Sequence, residues 1–229
     1  MLWYINIMEG DMGIIELKNI KKCYGENLLF EGVNLEVQKG EFLGIKGESG
    51  SGKSTLLNII GLLEECEGDI IIEGKKRSCR NEKEVRRLLS RKIGYLFQNF
   101  ALIDDQTTYQ NLKIVLKGIK KNEAKKLMLQ ELEKVGLGDI LNKKICQLSG
   151  GEQQRVAIVR CILHNSDIIL ADEPTGSLDE KNTEVIMSLL TELNKKGKTI
   201  IMVSHSEQTF QYCSRVVTIK PNGIISEVD

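Results

Sequence analysis

The chain is short of proline. It has two among 229 residues, Pro174 and Pro221, so the breaks between its elements fall mostly to glycine. It has no C-x-x-C pair. Cys23, Cys66, Cys79, Cys146, Cys161 and Cys213 lie scattered, which excludes the usual zinc and dithiol spacings and reads as free thiols in a reducing compartment. No apolar run reaches about 18 residues, so no bilayer-spanning helix is expected. The best candidate, LLNIIGLL at 56–63, is short and interrupted by Asn58. The opening MLWYINIM is apolar but has no basic flank and no small-residue cleavage site, so it does not read as a signal peptide. With Met8 and Met12 as alternative starts, residues 1–12 are expected to form an extension. Net charge is missing too: 32 Lys+Arg balance 32 Asp+Glu. That balance argues against a protein whose main task is to grip a nucleic-acid backbone, which needs a basic surface. No internal repeat or low-complexity segment is present.

What is there is a strong α/β pattern. IIELKNI (14–20) and VNLEVQ (33–38) alternate like half-buried strands, with a turn at Gly25 between them. FLGIKG (42–47) reads as a buried strand, and TLLNIIGLL as a helix starting near Lys53. DIIIEG (69–74) reads as a strand ending in a turn, NEKEVRRLLS (81–90) as a helix capped by Asn81, and KIGYLFQ (92–98) as a buried strand. From about Asn99 to Leu163 strand pattern disappears, and TTYQNLKIVL, EAKKLMLQELEKVGL and GGEQQRVAIVRCIL read as helices. Ala124, Leu127, Met128, Leu132 and Val135 recur at helical steps and form an apolar core face. The α/β pattern then returns with strands DIILAD (167–172), TIIMVSH and RVVTIK and the helix EVIMSLLTELNKK. Buried strands alternating with helices predict a mostly parallel sheet covered on both faces.

Residues 47–54, GESGSGKS, fit G-x-x-x-x-G-K-[ST] between a strand and a helix, the context a phosphate loop requires. Gly47, Gly50 and Gly52 let the backbone curl so that successive N–H groups face one concavity, to which the helix start adds partial positive charge. Glu48, Ser49, Ser51 and Thr55 belong to the same loop. Lys53 can reach the β- and γ-phosphates of ATP or GTP, and the Ser54 hydroxyl can ligate Mg2+. IILADEP ends a strand in two carboxylates. Asp172 is expected to hold Mg2+ and Glu173 to polarise a water, although acidic residues also follow strands as plain turn formers. His205 follows the next apolar strand and could face the γ-phosphate, whereas His164 in its turn has no such placement. Gln98 ends its strand with an amide able to bridge metal and water. LSGGEQQR (148–155) offers a second glycine-rich cradle, Ser149, Gly150 and Gly151, at a helix start but without a lysine. An ordinary capping box of Ser149 with Glu152 accounts for the same letters.

Together these stretches resemble the ABC-type ATPases: phosphate loop, LSGGEQQR as the signature motif, then ILADEPTGSLD. The resemblance runs from about Ile14 to Ile225. It implies a P-loop core with a mostly parallel sheet, a small antiparallel β subdomain and an inserted helical subdomain at about 99–163, all within one domain over 13–229. It also implies a head-to-tail homodimer in which Ser149, Gly150 and Gly151 of one chain complete the ATP held at Lys53 of the other. By the same resemblance Tyr24 stacks on adenine, although an ordinary strand-end tyrosine fits as well. Gln98 senses Mg2+, Glu173 is the catalytic base, Asp179 touches the opposite chain, and His205 is the switch histidine. ATP against GTP stays open, since stacking reads a purine face. GEQQRVAIVR and ADEPTGSLD resemble subunits of lipoprotein-release, macrolide-export and bacteriocin-export systems, and YLFQNFALIDDQT points to the bacteriocin branch. The implied partner is an integral membrane permease with the chain on its cytoplasmic face, and no nucleic acid. The proline that relatives often carry after the glutamine is missing from ALIDDQ, which puts the usual docking partner in doubt. A mechanotransmission complex that moves no substrate fits the same residues. A soluble ATPase acting on ribosomes or DNA lacks its expected tandem cassette, coiled-coil insertion or basic arm.

Overall fold

The computed structural model describes residues 13–176 and 178–220, together with the backbone of 225–227. The expected extension over 1–12 lies outside the described residues. The elements run β1 (Ile15–Tyr24), β2 (Asn27–Val37), β3 (Phe42–Lys46), α1 (Lys53–Ile60), β4 (Glu67–Ile72), β5 (Lys75–Arg77), α2 (Glu82–Leu89) and β6 (Ile93–Leu96). There follow α3 (Thr108–Lys113), α4 (Lys121–Lys134), α5 (Gly150–His164), β7 (Ile168–Asp172), α6 (Glu180–Lys195), β8 (Thr199–Val203), α7 (Glu207–Phe210), β9 (Arg215–Ile219) and β10 (Ile225–Glu227).

Two sheets form. One has the order β2-β1-β4-β5 and is antiparallel throughout. The other has the order β10-β9-β3-β8-β7-β6, parallel except for β10 at its edge. Side chains alternate across a strand, so the parallel strands feed two cores. Leu43, Ile45, Leu170, Ile201 and Val203 pack with Leu56, Leu57, Ile59 and Ile60 of α1 on one face. Phe42, Ile169, Ala171, Ile200 and Met202 pack with Ile158 of α5 and with Ile186, Met187 and Leu190 of α6 on the other. A third cluster joins α3, α4 and α5 through Leu112, Met128, Leu132, Val156 and Val159. Helix α5 therefore buries two faces at once: Ala157 and Ile158 against the sheet, Val156 and Val159 against the helices. In α4, Ala124, Met128 and Leu132 are buried as their spacing requires, Val135 is buried at the cap of its C-terminal end, and Leu127 is half-buried.

Several boundaries differ from the sequence reading. The first hairpin is longer, running to Tyr24 and restarting at Asn27 around Gly25 at φ 60°. Helix α1 stops at Ile60, because Leu62 turns left-handed at φ 58°, so GLL is not helical. Helix α3 ends at Lys113 rather than continuing through KIVL, and α6 starts at Glu180, four residues before EVIMSLL, because Asp179 caps it. The turn after DIIIEG reverses into β5, and α7 and β10 are further additions. Among the described residues no helix is long and apolar enough to cross a membrane.

Candidate functional site

The carboxyl ends of β3, β7, β8 and β6 converge on one edge of the parallel sheet, where ligands collect in such folds. The loop after β3 curls through Gly50 at φ 80° and Gly52 at φ 91°, backbone angles that suit glycine. A methyl group on Gly47 would lie 2.6 Å from the Ile219 carbonyl oxygen, so the cradle admits only hydrogen there. Gly52 hands the chain to α1, which has no side-chain cap, so the N–H groups of its first turn remain available to an anion. Lys53 Nζ donates to the carbonyls of Gly47 (2.8 Å) and Glu48 (2.9 Å), folded back over its own loop. Ser51 is buried, and its Oγ has no hydrogen-bond partner among the described residues.

Ser54 Oγ donates to Asp172 Oδ1 at 2.9 Å, joining the loop to the end of β7. Burial raises the Asp172 carboxyl above its ordinary pKa; the Ser54 hydrogen bond opposes this, neighbouring Glu173 adds to it, and Lys53 opposes it. Glu173 sits in the left-handed region at φ 45°, its N–H donating to Val203 O at 3.0 Å. This turn carries its carboxylate to His205: Oε2 lies 2.8 Å from Nδ1, and the His205 N–H donates to it at 3.4 Å. A non-glycine residue held at positive φ is a form of strain found at functional sites. Gln98 follows β6 at the same edge, with its side chain exposed and without a hydrogen bond among the described residues. Tyr24 is half exposed; its hydroxyl lies 3.5 Å from Thr55 Oγ1, and Lys22 Nζ stands 4.6 Å from its ring centroid. The ring thus flanks the phosphate loop.

The residues present suit Mg2+. Ser54 and Asp172 bring a hydroxyl and a carboxylate oxygen together, and no group of three or more acidic, histidine or cysteine side chains cages a metal among the described residues. Magnesium takes one or two protein oxygens and fills its octahedron with water and substrate phosphate.

The second cradle opens α5. Ser149 Oγ accepts from Glu152 N at 3.3 Å while Glu152 Oε2 accepts from Ser149 N at 2.7 Å, a complete capping box. The backbone hydrogen bond from Ser149 holds the Glu152 carboxyl below its ordinary pKa. Gly150 faces open space, with nothing within 4 Å of where a Cβ would stand. Gly151 is packed instead against Asn182, whose Oδ1 would lie 2.7 Å from an added Cβ. The capping reading is therefore realised, and it leaves the Gly150 side uncovered in the single chain.

Comparison with known proteins decides the family. The profile described as "ABC transporter" matches residues 30–176. The chain belongs to the ABC transporter family. It is 42% identical to the lipoprotein-releasing system ATP-binding protein LolD of Aquifex aeolicus, covering 94% of this chain and 97% of that one. It is 39% identical to the macrolide export ATP-binding/permease protein MacB of Aggregatibacter actinomycetemcomitans, over 94% of this chain but 35% of that longer one. It is 42% identical to the methionine import ATP-binding protein MetN of Clostridioides difficile, over 94% and 68%. Among solved structures, the dimeric ABC transporter cassette MJ0796 superposes with a TM-score of 0.86 at 39% identity, covering 94% of this chain and 99% of that one. The same cassette is known in a dimeric post-hydrolysis state bound to ADP and Pi, with a TM-score of 0.84. The chain is thus an ABC ATPase, an ATP-binding subunit of the lipoprotein-release and macrolide-export type.

Three residues of this ABC ATPase make contacts that the motifs do not announce, although Gln154 and Arg160 stand inside quoted stretches. All three tie α5 to the nucleotide edge. Buried Gln154 donates from Nε2 to Pro174 O at 2.6 Å. Arg160 donates to the carbonyls of Phe100 (2.8 Å) and Ala101 (2.5 Å), two successive left-handed residues at φ 61° and 46°. Asn182 joins α5 to the capped start of α6. Its Oδ1 accepts from Arg155 Nη1 at 2.8 Å, and its Nδ2 lies 3.0 Å from both carboxylate oxygens of Asp179. Gln154 had a visible signal, a polar residue in line with the apolar positions of a helix. Arg160 had none, because its partners are about 60 residues away, and neither did the link from Asn182 to Arg155, 27 residues before it.

Proposed function

We propose that the chain is the motor subunit of a membrane exporter, and that it works as a head-to-tail homodimer on the cytoplasmic face of a separate permease. The observation that carries this reading is the uncovered side of Gly150 at the start of α5. The capping box engages the Ser149 and Glu152 N–H groups, which leaves those of Gly150 and Gly151 and the Ser149 hydroxyl proton to meet an anion, and this helix start lacks a lysine of its own. On this reading Ser149, Gly150 and Gly151 donate to the γ-phosphate of ATP seated at Lys53 of the other copy, and Asp179 meets that copy beside it. Charge-assisted hydrogen bonds are worth roughly 1.5–3 kcal/mol each, so several made to one phosphate and lost after hydrolysis can open and close the dimer. We take residues 13–229 as one ABC ATPase domain, with 99–163 as its helical subdomain.

Within each site the residues divide the work. Tyr24 stacks on the base. Residues 47–55 wrap the phosphates, and Lys53 exchanges its carbonyl partners for the β- and γ-oxygens. Ser54 and Asp172 would hold Mg2+, which supplies charge neutralisation when bound, with Gln98 closing on it. Glu173 Oε2 accepts a proton from the attacking water, and His205 fixes that carboxylate. Water adds to the γ-phosphorus as the bond to the ADP oxygen breaks, giving ADP and inorganic phosphate. Catalysis is positioning and charge stabilisation rather than covalent chemistry.

An apolar groove supports a membrane partner. Leu63, Ile93, Phe97, Ile103 and Ile114 line a cavity of about 400 Å³, and Leu63, Ile103 and Ile114 are each more than 40% exposed. Such a patch marks an interaction site. Export of a peptide, lipoprotein or antimicrobial compound follows the kinship with LolD and MacB, and the bacteriocin branch follows YLFQNFALIDDQT. Uptake is the second reading, favoured by equal identity to MetN.

The test is Glu173→Gln. Hydrolysis is expected to fall at least 100-fold while ATP binding persists, and gel filtration in Mg-ATP is expected to show a dimer. A variant that stays monomeric at saturating ATP would overturn the trans-site reading.

A further inference from the structure

Strand β5 and helix α2 enclose a cavity of about 450 Å³ that shares no residue with the phosphate loop. Six cations line it: Lys75 and Arg77 from β5, Lys83 and Arg87 from α2, and Arg91 and Lys92 just beyond. Two residues apart on a strand, Lys75 and Arg77 emerge on one face. Four apart on a helix, Lys83 and Arg87 emerge on one face, and Arg91 continues the row. Two rows of positive charge thus meet across one hollow. The carboxylates there are already engaged, Glu84 with Arg77 and Glu73 with Lys92 at 2.9 Å. Lys75, Lys83, Arg87 and Arg91 have no ion-pair partner among the described residues. Arg77 is 13% exposed, and its Nε is buried without a hydrogen-bond partner among the described residues.

Like charges at four-residue helical spacing repel, and a concave wall focuses their field. Four uncompensated cations in one hollow are therefore a local cost, in a chain that has as many acidic as basic residues with which to relieve it. Guanidinium forks match phosphate oxygens in pairs. The volume lies within the range of ordinary small-ligand sites. We propose that this trough binds a compact ligand bearing two or more phosphate groups, supplied as a soluble polyphosphate or as the headgroup of an anionic phospholipid. Arg77, pinned by Glu84, anchors one phosphate at the strand side. Lys83, Arg87 and Arg91 take the other along the helix.

The phosphate loop also binds phosphates, so the experiment starts from Lys53→Ala. Inorganic tripolyphosphate is titrated calorimetrically into that protein and into the same protein carrying Lys83→Gln and Arg87→Gln. Both added changes are at exposed positions, and equal thermal midpoints check that the fold is kept. In parallel, both proteins are sedimented with cardiolipin vesicles, whose headgroup carries two phosphates, and with phosphatidylcholine vesicles. The expected result is at least tenfold weaker binding of the anionic probe in the added double variant, with an affinity in the parent that falls as salt rises. Loss confined to tripolyphosphate identifies a soluble ligand. Loss confined to cardiolipin vesicles identifies a headgroup, and loss of both identifies the shared phosphate chemistry. If neither probe binds the parent, or both bind the double variant equally well, the proposal fails. In an otherwise unaltered chain, the same two substitutions should leave basal ATPase activity unchanged.

Discussion

Asp172 sits where two demands conflict. Its carboxylate must be ionised to hold a cation, yet burial raises its pKa above the ordinary carboxylate value. A raised folded-state pKa means that the folded chain prefers the protonated acid. The stabilising contribution is therefore full below the unfolded pKa and is lost as pH rises through the folded value. At neutral pH the ionised group works against the nucleotide-free fold. Asp172→Asn is thus expected to raise the thermal midpoint without nucleotide at pH 7, with the gap closing as pH falls toward the carboxylate range. Mg-ATP hydrolysis should drop by two orders of magnitude or more. Differential scanning fluorimetry against pH checks the first part, and a lower midpoint for the variant would refute it. The pair Asp172–Glu173 was legible as letters because it ends an apolar strand downstream of a phosphate loop. The opposite use of neighbouring carboxylates was less visible: one faces Ser54, whereas the left-handed backbone at Glu173 turns the other onto His205. That turn is a backbone property, and no spacing rule announces it for a glutamate.

Helix α5 shows why adjacent glycines at an element's start are not equivalent. Gly151 packs on an Asn182 amide already held by Arg155 and Asp179, so a methyl there must displace a bonded group. Overpacking of this kind costs about 1–3 kcal/mol, partly offset by alanine's better helix propensity. Gly151→Ala should lower stability by about 1 kcal/mol in urea unfolding. Gly150→Ala meets open space and should leave stability the same or slightly higher, yet on the proposed head-to-tail reading it should impair ATP-driven dimer formation in gel filtration, because the methyl would stand in the way of the other copy's phosphate. Equal effects of the two changes on both measurements would contradict this division. The same contrast explains which elements could be read. Helices with a repeating apolar face, such as α4 and α6, and buried strands such as β7 and β8 declare themselves through period and continuity. Strand β5 has three residues, all basic, and α7 has four, too few to show any period. The end of β1 and start of β2 are mostly exposed and depend on hairpin pairing around Gly25, not on burial, for their conformation.

For the whole molecule, the division of apolar surface is informative. The parallel sheet is covered on both faces, the helices share their own core, and an apolar groove between them is left open. Ile114 is 46% exposed there and outside the nucleotide edge. If the proposed permease docks in this groove, Ile114→Asp should leave basal ATPase activity near its original value while abolishing stimulation by the reconstituted permease and co-purification with it. An unchanged stimulated rate would move the docking site elsewhere. The motifs could be read as a list of parts, but not as a circuit. Gln154, Arg160 and Asn182 link distant segments, and such links exist only once the chain is folded.

Phe100 and Ala101 are wound against their preference, since each L-residue in that handedness costs roughly 1–2 kcal/mol. One guanidinium, from Arg160, grips both carbonyls. Arg160 stands on α5, the same helix whose start carries Ser149. Pressure from an occupant of the adjoining groove and pressure from a phosphate at that tip would then bear on one shared piece of the mechanism, at opposite ends.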